Sequence, residues 1–223
     1  MKKKQIQKFQ KCHKSSLPGT DKFSINKIIG RSAIANLKKF YPEVSTIKNL
    51  EEVIYSDPHK LDELPIAVRF IRYLNKTYCT DYVLADEQPV QNEEIDILAR
   101  SKKNPKQELK IQIEVADRKM REVIGKKLAK QNDSGIRFAS FSRITRPGGK
   151  EKALGWVQDA IRKKKYPTDL KKGLILLLDG WWSIGLLREK DVKELQRICR
   201  SSEYQEIWII YLKECKKLYP LDL

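Results

Sequence analysis

The sequence predicts an α/β protein with one mixed sheet flanked by helices and preceded by a helical cap. Three observations predict it. The hydrophobic period changes from helical to alternating after residue 76. "GLILLLDG", residues 173–180, is apolar on both faces, as a central strand should be. Amphipathic helical stretches at 151–165 and 189–200 alternate with strand-like runs over the second half of the chain.

The elements follow in chain order. "MKKKQIQKFQKCHK", residues 1–14, is a basic arm; no apolar segment or small-residue cleavage site follows it, so it does not read as a signal peptide. Residues 15–56 form a helical region: a linker at 15–24, a helix to Phe40, a break at "YPEVST", and a short helix capped by Thr46. "IIGRSAIANL" has a faint helix-turn-helix pattern, outweighed by the helical-cap reading. Residues 57–223 form the α/β domain. Its first helix lies in 56–76, where Leu64, Ala67, Val68, Ile71 and Leu74 recur at helical spacing.

Strands follow at 81–88, 93–100 and 108–116, joined by polar connections. Residues 117–132 read as a helix weakened by Gly125, and 136–145 as a strand. The helix at 151–165 turns Leu154, Val157 and Ile161 inward. Strand 173–180, helix 189–200 and a final buried strand at 206–212 complete an αβββ-α-β-α-β order. The crossover between the last two strands should be right-handed.

Composition narrows the function. Lys plus Arg number 46 against 29 acids, a net charge of +17, which points to a polyanion such as nucleic acid. The basic residues cluster, with Lys102 and Lys103 in one loop, Arg143 and Arg146 in another, and Lys163, Lys164 and Lys165 at a helix end. The expected partner is duplex DNA. No apolar run is long enough to span a membrane, and a homodimer is left open. Four scattered cysteines without a C-x-x-C pair suit a cytoplasmic setting better than a disulfide framework. Two histidines are too few for His-rich catalysis.

The chemistry lies in "EEIDILAR" (93–100) and "ELKIQIEVAD" (108–117). Alternation places Asp96 on one face of its strand, and Lys110, Gln112 and Glu114 on one face of the next. A register that turns both apolar rows to the core sets Asp96 beside Gln112 and Glu114. Such an oxygen-rich set suits a hard divalent cation, magnesium or manganese. The alternative is the solvated face of an antiparallel sheet, with cross-strand charge pairs.

"EIDILAR" and "IQIEVA" resemble the PD-(D/E)xK nuclease superfamily, the restriction-endonuclease-like fold. The resemblance spans roughly residues 60–212 as element order and about ten residues as motif. "IQIE" is similar to the Q-x-K variant of Mrr-type restriction enzymes, with Glu114 where the lysine would stand. The resemblance implies magnesium-dependent hydrolysis of DNA phosphodiesters. Asp96 and Glu114 would be metal ligands, Gln112 a ligand or nucleophile-orienting amide, and Glu63 an added acid from the upstream helix. In a second register Glu114 is the essential acid and a lysine from elsewhere, Lys110 or Lys119, replaces the missing one. Two rivals remain: an inactive nuclease-fold protein that binds nucleic acid, and an interaction protein with a solvated basic surface. "DGWWSIG" (179–185) reads as a turn at Asp179 and Gly180 followed by packing tryptophans.

Overall fold

The computed structural model describes residues 22–90, 95–116, 149–163, 171–180, 187–211 and 214–220. The chain is α/β, with a six-stranded mixed open sheet in the order β1-β2-β3-β4-β5-β6, flanked by helices. The strands are β1 (Tyr82–Leu84), β2 (Ile97–Ser101), β3 (Glu108–Val115), β4 (Leu174–Asp179), β5 (Glu206–Tyr211) and β6 (Glu214–Tyr219). The helices are α1 (Lys22–Phe40), α2 (Leu50–Ser56), α3 (Lys60–Tyr78), α4 (Gly149–Lys163) and α5 (Glu189–Ser202), with a 3₁₀ turn at Pro42–Thr46.

Pairing runs antiparallel from β1 to β3, parallel from β3 through β5, and antiparallel again at β6. β4 lies at the centre because all six of its residues are buried. A strand covered on both faces can be apolar throughout, and parallel pairing requires such cover. β6 is a sixth strand beyond the expected order. Its sequence ECKKLY exposes alternate residues, as an edge strand carrying lysines does.

Each face of the sheet has its own core. One unites Ile34, Leu50, Leu64, Phe70, Ile111, Ile113, Leu177 and Trp208, so α1, α2 and α3 share a single cluster with the sheet across the expected boundary at residue 56. The other packs Val157 and Ile161 of α4 and Leu195 of α5 against Leu176, Leu178 and Ile209. Phe70, Tyr73 and Tyr78 surround Trp208 edge-on, with ring centroids 5.4, 6.0 and 6.2 Å away.

The edge at β1 is finished by side chains. β1 stops at Leu84, and Gln88 continues its work: the Gln88 amide donates to Leu98 O at 2.8 Å and accepts from Leu98 N at 3.0 Å. Asn49 in turn exchanges two hydrogen bonds with the Gln88 main chain, which anchors the start of α2 to the sheet. Thr46 does not cap that helix; its hydroxyl bonds Glu43 O within the 3₁₀ turn. The helix and strand expected at 117–132 and 136–145 lie outside the described residues, as does the basic arm.

Candidate active site

β3 and β4 are parallel neighbours, and their carboxyl ends carry Glu114, Val115 and Asp179 in register, Val115 opposite Asp179. The crevice beyond the carboxyl ends of parallel strands is where open α/β sheets bind ligands. A cavity of about 480 Å³ opens there, bounded by Glu63, Pro65 and Arg69 of α3 and by Ile113, Glu114 and Asp179 of the sheet.

Asp96 sits at a bend one residue before β2. The ladder pairs Ile97 with Ile111, so Asp96 comes opposite Gln112, as the apolar rows required. Its main-chain N–H donates to Ile111 O at 3.0 Å. Its carboxylate accepts from Ile113 N–H at 2.6 Å, extending the β2–β3 pairing through a side chain. That bond ties Asp96 to Ile113, a residue of the cavity wall.

Glu63 leans toward the same point from the first turns of α3. Burial raises its pKa above the ordinary carboxylate value, and the nearby Asp96 charge raises it further, while Lys60 opposes both. Lys60 is itself only 3 % exposed; its ammonium lies 3.0 Å from Glu63 Oε2 and donates to the main-chain oxygen of Asp96. The Glu63 contact is an ion pair without hydrogen-bond geometry, so Glu63 Oε2 is buried with no hydrogen-bond partner.

Glu114 emerges on the opposite face of β3, 6 % exposed, and accepts from Lys163 Nζ at 2.7 Å. Lys163, expected on a nucleic-acid-binding surface, stands half-exposed at the end of α4 beside Glu114. Lys110 cannot fill that place. It is exposed and lies four residues up the strand from Glu114, roughly 13 Å away. Lys119 is outside the described residues.

Gln112 is fully buried, and its amide oxygen accepts from the Tyr204 hydroxyl at 2.5 Å. This enclosure leaves it no face toward a substrate, so its role is to hold β3 against the segment between α5 and β5. Burial of Gln112 and Glu114 also overturns the solvated-face alternative, because α4 and α5 cover that side of the sheet.

Lys102 and Lys103 are exposed in the β2–β3 loop. Arg143, Arg146, Lys164 and Lys165 lie outside the described residues. Burial pushes the Cys199 and Cys215 thiols up to about 12, which leaves neither a nucleophile.

The donor set is all oxygen, which fits magnesium or manganese in kind. Among the described residues, however, no group of three or more His, Cys, Asp or Glu side chains is placed to hold a metal ion. The physical reason is alternation. Asp179 shares a sheet face with Val115, toward α3, whereas Glu114 points to the α4 side and is engaged by Lys163. Two residues of this site, Asp179 and Lys60, escaped sequence reasoning, and Lys163 entered it only as a nucleic-acid contact. Asp179 carried a usable signal, an acid closing an all-apolar strand. Lys163 carried a weaker one, following the core residue Ala160 by three on α4. Lys60 carried none, since "HKLDEL" reads as a polar helix start.

Compared with protein-family models, with curated proteins and with solved structures, the chain matches none.

Proposed function

We propose that the protein is a metal-dependent nuclease of restriction-endonuclease-like fold that hydrolyses DNA phosphodiesters at the cavity beyond β3 and β4. The observation that carries this reading is one crevice at the carboxyl ends of parallel strands whose lining includes Glu63, Glu114 and Asp179, in a chain of net charge +17. Acids concentrated in one crevice of a strongly basic protein call for a cation when a polyanion approaches.

Glu63 and Asp96, close enough for each to feel the other's charge, would hold a magnesium ion completed by water, which would supply Lewis-acid polarisation of the phosphate and a more acidic water. The chain's own groups do the rest. Lys163, half-exposed beside Glu114, would turn to neutralise charge developing on the phosphate. Lys60 keeps Glu63 and the Asp96 main chain in place. Tyr204 and Gln112 lock β3, and Arg69 on the cavity wall offers a fork for a phosphate oxygen. The second register of the motif is thus favoured, with Glu114 as the acid and Lys163 in the role once assigned to Lys110 or Lys119.

A second reading is a nucleic-acid-binding protein that keeps this architecture without cleavage. It is favoured by the spacing of the carboxylates and by Lys60 and Lys163 already paired with two of them. Supercoiled plasmid separates the two. The nuclease reading expects nicking by the wild type with magnesium or manganese, none with chelator, and none by Asp96→Asn, which retains an oxygen for Ile113 N–H. Binding without nicking under all metal conditions selects the second reading.

A further inference from the structure

A second cavity, of about 380 Å³, lies on the other side of Glu114, between the end of β3 and α4. Trp156, Asp159, Ala160 and Lys163 line it at helical spacing, with Arg162 beside them. Glu114 and Val115 border both cavities, so the end of β3 separates them, with Lys163 on the side of this second one.

This volume falls within the range of roughly 300–1,000 Å³ for small-ligand pockets. Its walls are specific in kind. Trp156 is partly buried, so it offers a flat apolar face without being sealed in the core. Ala160 leaves space where a larger side chain would fill it. Asp159 is an exposed acceptor suited to an exocyclic amino group, and Arg162 and Lys163 are exposed cations at the mouth. A flat ring with polar edges joined to an anionic linker meets all four features. Bases inside a continuous duplex do not, because their faces are stacked and their edges paired.

We propose that this cavity holds an unpaired nucleobase next to the cleavage crevice. The preferred substrate is then a nucleic acid with an unpaired nucleotide beside the cut, single-stranded or opened from a duplex, in place of an intact duplex. This inference rests on the nucleic-acid reading above but not on cleavage.

The test is fluorescence anisotropy with the full chain in chelator, using a labelled single-stranded oligonucleotide and the same sequence as a duplex. Wild type should bind the single strand more tightly. Trp156→Leu keeps apolar bulk and lacks the aromatic face. It should weaken single-strand binding about five- to hundred-fold, the value of one stacked base, and move duplex binding less than about twofold. Trp156→Phe should recover much of the loss, and it serves as the readout if the leucine variant does not fold. Tighter duplex binding by the wild type, or equal effects of Trp156→Leu on both ligands, would overturn the inference while leaving the nucleic-acid reading intact. Failure of the wild type to bind either ligand at low salt would remove both.

Discussion

Lys163 donates to Glu114 across 2.7 Å, joining the last turn of α4 to the carboxyl end of β3. The two residues are 49 positions apart in the chain and meet because β3 and β4 are parallel and α4 lies in the connection between them. The acid is 6 % exposed and the ammonium beside it half-exposed, so on the proposed reading the lysine is the partner open to a phosphate.

Lys163→Met should therefore lower the magnesium-dependent nicking rate about 10²-fold or more, the usual effect of removing one preorganised electrostatic donor. Lys163→Arg should retain part of the rate. Lys110→Ala should match wild type, because that ammonium lies too far up the strand. Equal losses for Lys110→Ala and Lys163→Met would contradict this assignment.

Lys60 makes a different prediction. Its ammonium is buried between Glu63 and the Asp96 main chain. Breaking a buried pair by removing one partner leaves the other charge uncompensated, at a cost of about 3–5 kcal/mol. Lys60→Met should lose that much stability in urea unfolding. The double variant Lys60→Met with Glu63→Leu should recover a large share, because no lone charge remains. A double variant no more stable than the single one would show that the ion pair is not the origin of the loss.

Tyr204→Phe removes the hydroxyl that donates to the buried Gln112 amide oxygen, costing about 0.5–1.5 kcal/mol for the lost hydrogen bond. Its nicking rate per folded molecule should equal wild type. A rate loss without a stability loss would return Gln112 to the catalytic set.

Much of the fold was legible because its elements are strongly periodic or strongly apolar. The all-apolar β4 announced a central parallel strand, and the heptad-like spacing of α3 announced a helix against the sheet. The Asp96 register followed from keeping two apolar rows on one side. β6 was illegible because an edge strand tolerates lysines, so ECKKLY lacks the apolar row that marks an inner strand. Asp179 read as a turn because its significance depends on Val115 beside it, a relation that only the parallel pairing creates. Lys60, and the pairing of Lys163 with Glu114, were missed for the same reason: each depends on a contact with another element, Lys60 with the Asp96 main chain and Lys163 with β3. Gln112 was read as chemistry from its motif position, whereas Tyr204 on the covered face makes it structural.

Acidity gives a signed prediction. The folded pKa of Glu63 is raised above the value of 4.5, by burial first and by Asp96 next. The native state therefore keeps this proton after the unfolded chain has lost it. Stability should fall as pH rises from about 4.5 through the raised folded value, and level off above it. Glu63→Gln should remove that decline. Magnesium needs the ionised carboxylate, so its affinity should climb over the same interval. Urea midpoints and metal titrations across this pH range check both slopes; a wild-type stability that increases there would show the opposite sign for Glu63.

The central claim is that a divalent cation belongs between Glu63 and Asp96, and anomalous diffraction from crystals soaked in manganese tests it most directly. The account predicts one anomalous peak at the crevice within bonding reach of those carboxylates in the wild type, and none in Asp96→Asn. A manganese-saturated wild-type crystal with no peak at that crevice, or with a peak unchanged in Asp96→Asn, would contradict it.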